Sequence, residues 1–229
     1  MEPQHSERLN KYLALQLGVS RREADALIEK QRVTVNGKTA QLGGRFKPSD
    51  SIAVDGTPLT GATEKQYVRF HKPVGYVCSR KAQGDNPTIY SLLPKNLYPL
   101  KPVGRLDKDS SGLLLLTNDG DFAFEMTHPK FYKQKTYLVR LDHELAPLHQ
   151  QMINDFGVQL EDGPSQLTLE RQHEDNRHDW IVQMSEGRNR QVRRTFAALG
   201  YTVTKLHRIQ FGTYGLHDLS PGKYEAFSI

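Results

Sequence analysis

The chain has 229 residues, of which 37% are hydrophobic and 25% charged, with a formal net charge of +5 and one cysteine. No apolar run approaches the ~20 residues a bilayer requires, so no membrane attachment is expected. The single cysteine, Cys78, excludes an internal disulfide and a multi-cysteine zinc site and reads as a packing residue.

Met1-Glu2-Pro3-Gln4-His5 is polar and is not followed by an apolar segment, so no cleaved secretory signal is expected and the protein is assigned to the cytoplasm. The charge is unevenly spread. Residues 6–47 carry nine Lys/Arg against four acids, and residues 181–212 carry six against one, which leaves the remainder acidic. Two basic blocks on an acidic body imply a polyanionic partner held at two places.

Leu9, Leu13 and Leu17 have helical spacing and stop at Gly18. Ser20-Arg21-Arg22-Glu23 has capping-box spacing ahead of the apolar Ala24, Leu27 and Ile28. Val33-Thr34-Val35 before Asn36-Gly37, and Ile52-Ala53-Val54 before Asp55-Gly56, each read as a strand entering a tight turn. Arg8-Leu9-Asn10-Lys11, Ser20-Arg21-Arg22-Glu23 and Val33-Thr34-Val35-Asn36-Gly37 together resemble a small RNA-binding domain first known from a ribosomal small-subunit protein. The resemblance implies that Arg8, Lys11, Arg21 and Arg22 hold RNA phosphates at helix starts; a solvated basic face is the plainer reading. The domain is expected over 6–56, with 57–66 as a linker broken by Pro and Gly, and a second domain over 67–229.

Tyr67 to Phe70 reads as a strand, His71-Lys72-Pro73-Val74-Gly75 as a turn, and Arg80 to Pro102 as an irregular excursion. The organising stretch is Gly104-Arg105-Leu106-Asp107-Lys108-Asp109-Ser110-Ser111-Gly112, a polar loop feeding the apolar Leu113-Leu114-Leu115-Leu116 and ending at an Asp119-Gly120 turn. Taken alone, its two aspartates read as caps of a surface turn. Residues 121–126 suit a short helix closed by Pro129. Lys135 to Leu141 alternates as a strand with Tyr137 on its apolar face, and a helix is expected near 146–155. Asn189 is placed as the N-cap of a helix that puts Arg190, Arg193 and Arg194 on one face and Val192, Phe196 and Leu199 on the other, with no compensating acids beside the arginines. No His spacing suits a metal.

Gly104-Arg105-Leu106-Asp107, the Lys72-Pro73-Val74-Gly75 turn, Lys135-Thr136-Tyr137 and Gly187-Arg188-Asn189-Arg190-Gln191-Val192-Arg193-Arg194 together resemble the motifs of the RsuA-type ribosomal RNA pseudouridine synthases. That resemblance implies an α+β protein with a catalytic domain built on a largely antiparallel sheet, isomerising a uridine in ribosomal RNA. It implies Asp107 as the catalytic aspartate, Tyr137 against the target base and Arg193 paired with Asp107. Arg105, Arg190 and Arg194 are expected to contact RNA. Asp107 attacks C1′ or takes a proton from C2′; the residues leave both open. Such an isomerisation consumes nothing, so no cofactor and no metal are expected. The expected partner is ribosomal RNA or a ribosome-assembly intermediate, and the protein is expected to be a monomer. The rival reading is a noncatalytic RNA-binding assembly factor on the same scaffold; a nuclease using Asp107 and Asp109 lacks further acidic ligands.

Overall fold

A computed structural model describes residues 6–60, 64–80 and 83–229. The N-terminal pentapeptide of the signal reading, residues 61–63 of the expected linker and residues 81–82 of the excursion lie outside them. The chain divides into two compact units, one reaching Gln66 and including Asn118–Gly120, the other built from Tyr67–Thr117 and Asp121–Ile229.

In the first unit, α1 (Leu9–Leu17) ends where Gly18 turns left-handed at φ 66°. Helix α2 (Arg21–Glu29) opens with the reciprocal box between Ser20 and Glu23. Strand β1 (Val33–Val35) turns through Asn36 and Gly37, both at positive φ, into β2 (Lys38–Thr39). Strand β3 (Ile52–Val54) turns through Asp55 and Gly56 in the same way into β4 (Thr57–Pro58). The sheet order is β2-β1-β3-β4. The chain returns onto β3 so tightly that the first two residues of the expected linker are sheet residues. Leu9, Leu13, Ala24, Ile28, Val33, Phe46 and Ile52 close one core from both helices and the sheet.

The second unit is a largely antiparallel sheet. Its strands are β5 (Tyr67–Lys72), β6 (Ser111–Thr117), β7 (Lys135–Leu141), β8 (Thr168–Arg171), β9 (Asp179–Met184), β10 (Val203–Phe211) and β11 (Tyr224–Ala226). Their order is β8-β9-β7-β10-β6-β5-β11. The β6–β10 pair is parallel, at Ser111–Gly112 against His207–Arg208. His71 and Lys72 finish β5 rather than belonging to the turn, which narrows to Pro73-Val74-Gly75.

Leu113 to Leu116 are all at 0% exposure because β6 is buried on both faces. Leu114 and Leu116 join one core, Leu113 and Leu115 the other. Each such leucine contributes roughly 2 kcal/mol by transfer, which anchors the polar loop before β6 on a strand buried on both faces. The expected short helix begins one residue earlier, with Gly120 as the first residue of α3 (Gly120–Thr127). Within the excursion, Ile89–Leu92 and Lys95–Leu97 form single helical turns. Residues Pro147–Gln151 form α4, and Gln191–Ala197 form α5.

Candidate active site

The Asp107 loop is held from beneath by a buried cation. Lys72, at 0% exposure, donates from Nζ to the carbonyls of Pro73 (3.0 Å), Asp107 (2.9 Å) and Ser110 (2.7 Å). The Gly75 amide donates to Lys108 O at 2.7 Å, so the Pro73-Val74-Gly75 turn carries the loop. Cys78 hydrogen-bonds both the Leu106 amide and its carbonyl through Sγ, and burial pushes its thiol pKa up. It therefore holds the loop as well as packing.

The three arginines of the second basic block do not behave as one row. Arg190, not Asn189, is the N-cap of α5, in a left-handed conformation at φ 46°. That turn aims its guanidinium back at the loop, where it forms a bidentate pair with Asp109 (3.1 and 3.2 Å) and lies 3.6 Å from Asp107 Oδ2. Arg193, expected beside Asp107, instead reaches Val203 O (2.6 Å), Asp109 O (2.9 Å) and the Asp109 carboxylate (3.5 Å). One helical turn further along, it meets the loop at Asp109 rather than at the Asp107 carboxylate. Arg194 pairs with both oxygens of Asp162. The helix carries no acid of its own on that face; the partners come from the loop and from the Glu161-Asp162 turn, which no helical spacing displays. Burial alone would raise the Asp109 pKa, but the Arg190 hydrogen bonds and the Arg193 charge hold it below the usual carboxylate range.

Above the loop lies a cavity of about 240 Å³ whose lining includes Arg105, Asp107, Lys135, Tyr137, Arg190 and Arg208. Arg193 and Arg194 do not line it. A second recess of about 550 Å³ shares Arg105, Asp107 and Arg190 with it. Tyr137 is on β7, in register with Arg208 of β10, and is 7% exposed. Arg8, at the N-cap of α1, and Arg21 and Arg22, in the first turn of α2, are exposed; Lys11 lies within α1.

Four contributors escaped sequence reasoning. Lys72 appeared there only as part of a turn. Lys135 donates to Glu186 O at 2.9 Å, and burial, with Arg208's charge, pushes its pKa down to about 8. Arg208 is 2% exposed; its Nε donates to Leu113 O, its guanidinium lies 5.0 Å from the Phe211 ring centroid, and Nη2 has no hydrogen-bond partner. No acid pairs with it among the described residues, so a buried positive charge lies beside the cavity without a counter-charge. Its only sequence signal was alternation with Leu206, two residues earlier on β10, which puts Arg208 on the same face as a core leucine. Gly112 was quoted without its reason, which is that a Cβ there would stand 2.2 Å from Arg208 O.

Residues 66–198 match the RNA pseudouridylate synthase family, and residues 7–52 match the S4 domain. The chain is 39% identical to Ribosomal small subunit pseudouridine synthase A of Yersinia pestis, over 95% of this chain and 93% of that one, and 39% identical to its Escherichia coli K12 counterpart, over 95% and 94%. It is 38% identical to Ribosomal large subunit pseudouridine synthase B of Pseudomonas aeruginosa, over 95% of this chain and 58% of that one. A solved pseudouridylate synthase superposes with a TM-score of 0.69 at 34% identity, covering 96% of each chain. The chain belongs to the RNA pseudouridylate synthase family.

Proposed function

We propose that this enzyme isomerises a uridine of ribosomal RNA to pseudouridine, with Asp107 as the catalytic carboxylate. The observation that carries the reading is the placement of Asp107 and Tyr137 on one cavity that is otherwise rich in cations. The bond from C1′ to N1 breaks with its electron pair left on the uracil. The base turns within the cavity, C5 bonds to C1′, and the C5 proton is lost as N1 gains one. Atoms and electrons balance within the substrate, so the step calls for no cofactor.

Tyr137 offers a face on which the detached base stacks while it turns. Arg190 sets a positive charge beside the Asp107 carboxylate, and Arg193 fixes the loop that carries it. Arg105 contacts the backbone of the flipped nucleotide, while Arg194 acts indirectly, by holding the Glu161-Asp162 turn. Residues 6–56, through Arg8, Lys11, Arg21 and Arg22, hold RNA phosphates without reading sequence; residues 67–229 carry the chemistry. The protein works as a monomer in the cytoplasm, on ribosomal RNA or an assembly intermediate.

The test is Asp107→Asn, nearly isosteric and lacking both charge and basicity. The variant retains RNA binding and a cooperative thermal transition, and its pseudouridine formation on unmodified ribosomal RNA falls to background, with or without added magnesium. Mapping pseudouridine in both ribosomal RNAs of cells with and without the protein identifies the target. Appreciable product from the folded variant would refute the role of Asp107, and no product from wild type on any ribosomal RNA would favour the noncatalytic assembly factor.

A further inference from the structure

A cluster of aromatic side chains lies outside the cavity, on the exposed side of α3 and the turn that follows it. Helix α3 buries Phe122 and Met126 in the core and presents Phe124 outward, 48% exposed. His128 lies tilted against Phe124 with ring centroids 4.6 Å apart, and Phe131 meets Phe124 edge-on at 5.9 Å. Lys130 Nζ lies 5.3 Å from the Phe124 ring centroid and 4.6 Å from that of Phe131, and it has no acidic partner among the described residues. Lys133, by contrast, is neutralised by Glu125 at 2.7 Å. Tyr132 follows, 77% exposed.

Two features separate this cluster from stray surface apolar residues. Tyr132 adopts φ 48°, a left-handed conformation that a bulky side chain disfavours and Gly or Asn accepts. An aromatic ring in that conformation, turned to solvent, gives folding nothing that offsets its strain. The second feature is continuity with the site. Thr127, one helical turn after Phe124, lines the Asp107 cavity.

We propose that Phe124, Phe131 and Tyr132, with Lys130 between the first two rings, form a stacking platform for single-stranded nucleotides flanking the target uridine. The inference rests on the RNA-directed activity proposed above. Exposed rings of sequence-tolerant stacking power beside an unneutralised cation suit unpaired bases and the phosphates that join them. A base flipped into the cavity leaves its neighbours unstacked at the rim, and the platform supplies replacement stacking there.

The full-length protein is titrated with a short single-stranded oligouridylate carrying one fluorescent purine analogue whose emission falls on stacking. Wild type quenches the probe. Phe124→Ala and Tyr132→Ala each weaken binding about tenfold, or about 1.4 kcal/mol, and relieve the quenching, while Phe124→Trp preserves both. Lys130→Gln lowers the salt slope by about 0.7. Tyr132→Asn separates binding from folding, because it raises thermal stability by suiting the left-handed backbone and still weakens binding. On ribosomal RNA the alanine variants raise KM and leave kcat at saturation unchanged. Wild-type affinity and quenching in the Phe124→Ala/Tyr132→Ala double variant would overturn the platform and assign this face to a protein contact. Binding and quenching are read without turnover, so an inactive wild type would sink the proposed reaction while leaving the platform's test intact.

Discussion

At the scale of single residues, the distinction between Arg190 and Arg193 is the most instructive. Arg190 is 44% exposed at its side chain and lies beside Asp107, whereas Arg193 is 12% exposed and bonded to backbone. Arg190→Gln is expected to lower kcat at least tenfold with little change in thermal stability. Arg193→Gln leaves Val203 O and Asp109 O without their charged donor, at a cost of about 2–3 kcal/mol, so unfolding temperature and kcat fall together. Equal stability losses in the two variants would contradict this division. Lys72 gives a prediction in pH. Burial pushes its pKa down from 10.5 to about 8, against the opposing charges of Asp107 and Asp109. An ammonium has three donors for the three carbonyls it meets; a neutral amine has two. Activity is therefore expected to fall as pH rises through about 8. Stability moves the other way, because between about 8 and 10.5 the unfolded chain keeps a proton that the folded chain has shed, so this lysine's contribution rises with pH in that window. Lys135 has the same sign. Rate profiles and denaturant titrations across the window check both signs, and a flat rate through pH 8 would remove the clamp from the mechanism.

At the scale of elements, the parallel contact between β6 and β10 sets the site. Strand β6 carries the Asp107 loop at its start, and β10 carries Arg208 in register with Tyr137 of β7. These strands come together at Gly112, whose φ of 107° and missing side chain allow the Arg208 backbone to approach. Gly112→Ala places a Cβ 2.6 Å from Arg208 N, with backbone as the obstacle rather than a movable side-chain end. A destabilisation of about 3 kcal/mol or more is expected, with loss of activity exceeding the loss of folded protein. Thermal unfolding and turnover of the purified variant check this. Wild-type turnover would show that the two strands separate without consequence.

At the scale of the whole molecule, the two basic blocks differ in how far their charges are engaged within the protein. The first block supplies Arg8, Lys11, Arg21 and Arg22 at helix starts, and in the second most arginines are committed to internal acids or carbonyls. Replacing the first four together by Gln is expected to weaken ribosomal RNA binding and flatten its salt dependence by about 3 logarithmic units per decade of salt, leaving kcat at saturation intact. An unchanged salt slope would place the phosphate contacts elsewhere.

The sequence alone determined what short-range chemistry dictates. The Ser20–Glu23 box, the Gly18 stop, the Asn36-Gly37 and Asp55-Gly56 turns and the Lys135–Leu141 strand are all written in neighbouring residues, whose backbone preferences act over a few positions. The motif strings identified the family because they are local too. Tertiary structure decided which charges meet. Helical spacing grouped Arg190, Arg193 and Arg194, but Asp109 is 81 residues before Arg190 and Asp162 is 32 before Arg194. The left-handed turn at Arg190 and the Glu161-Asp162 turn set those pairings. The exposed ring of Phe124 on α3 was invisible for the same reason, since a 3.6-residue period shows that one face is apolar and only packing shows which apolar residues it leaves outside.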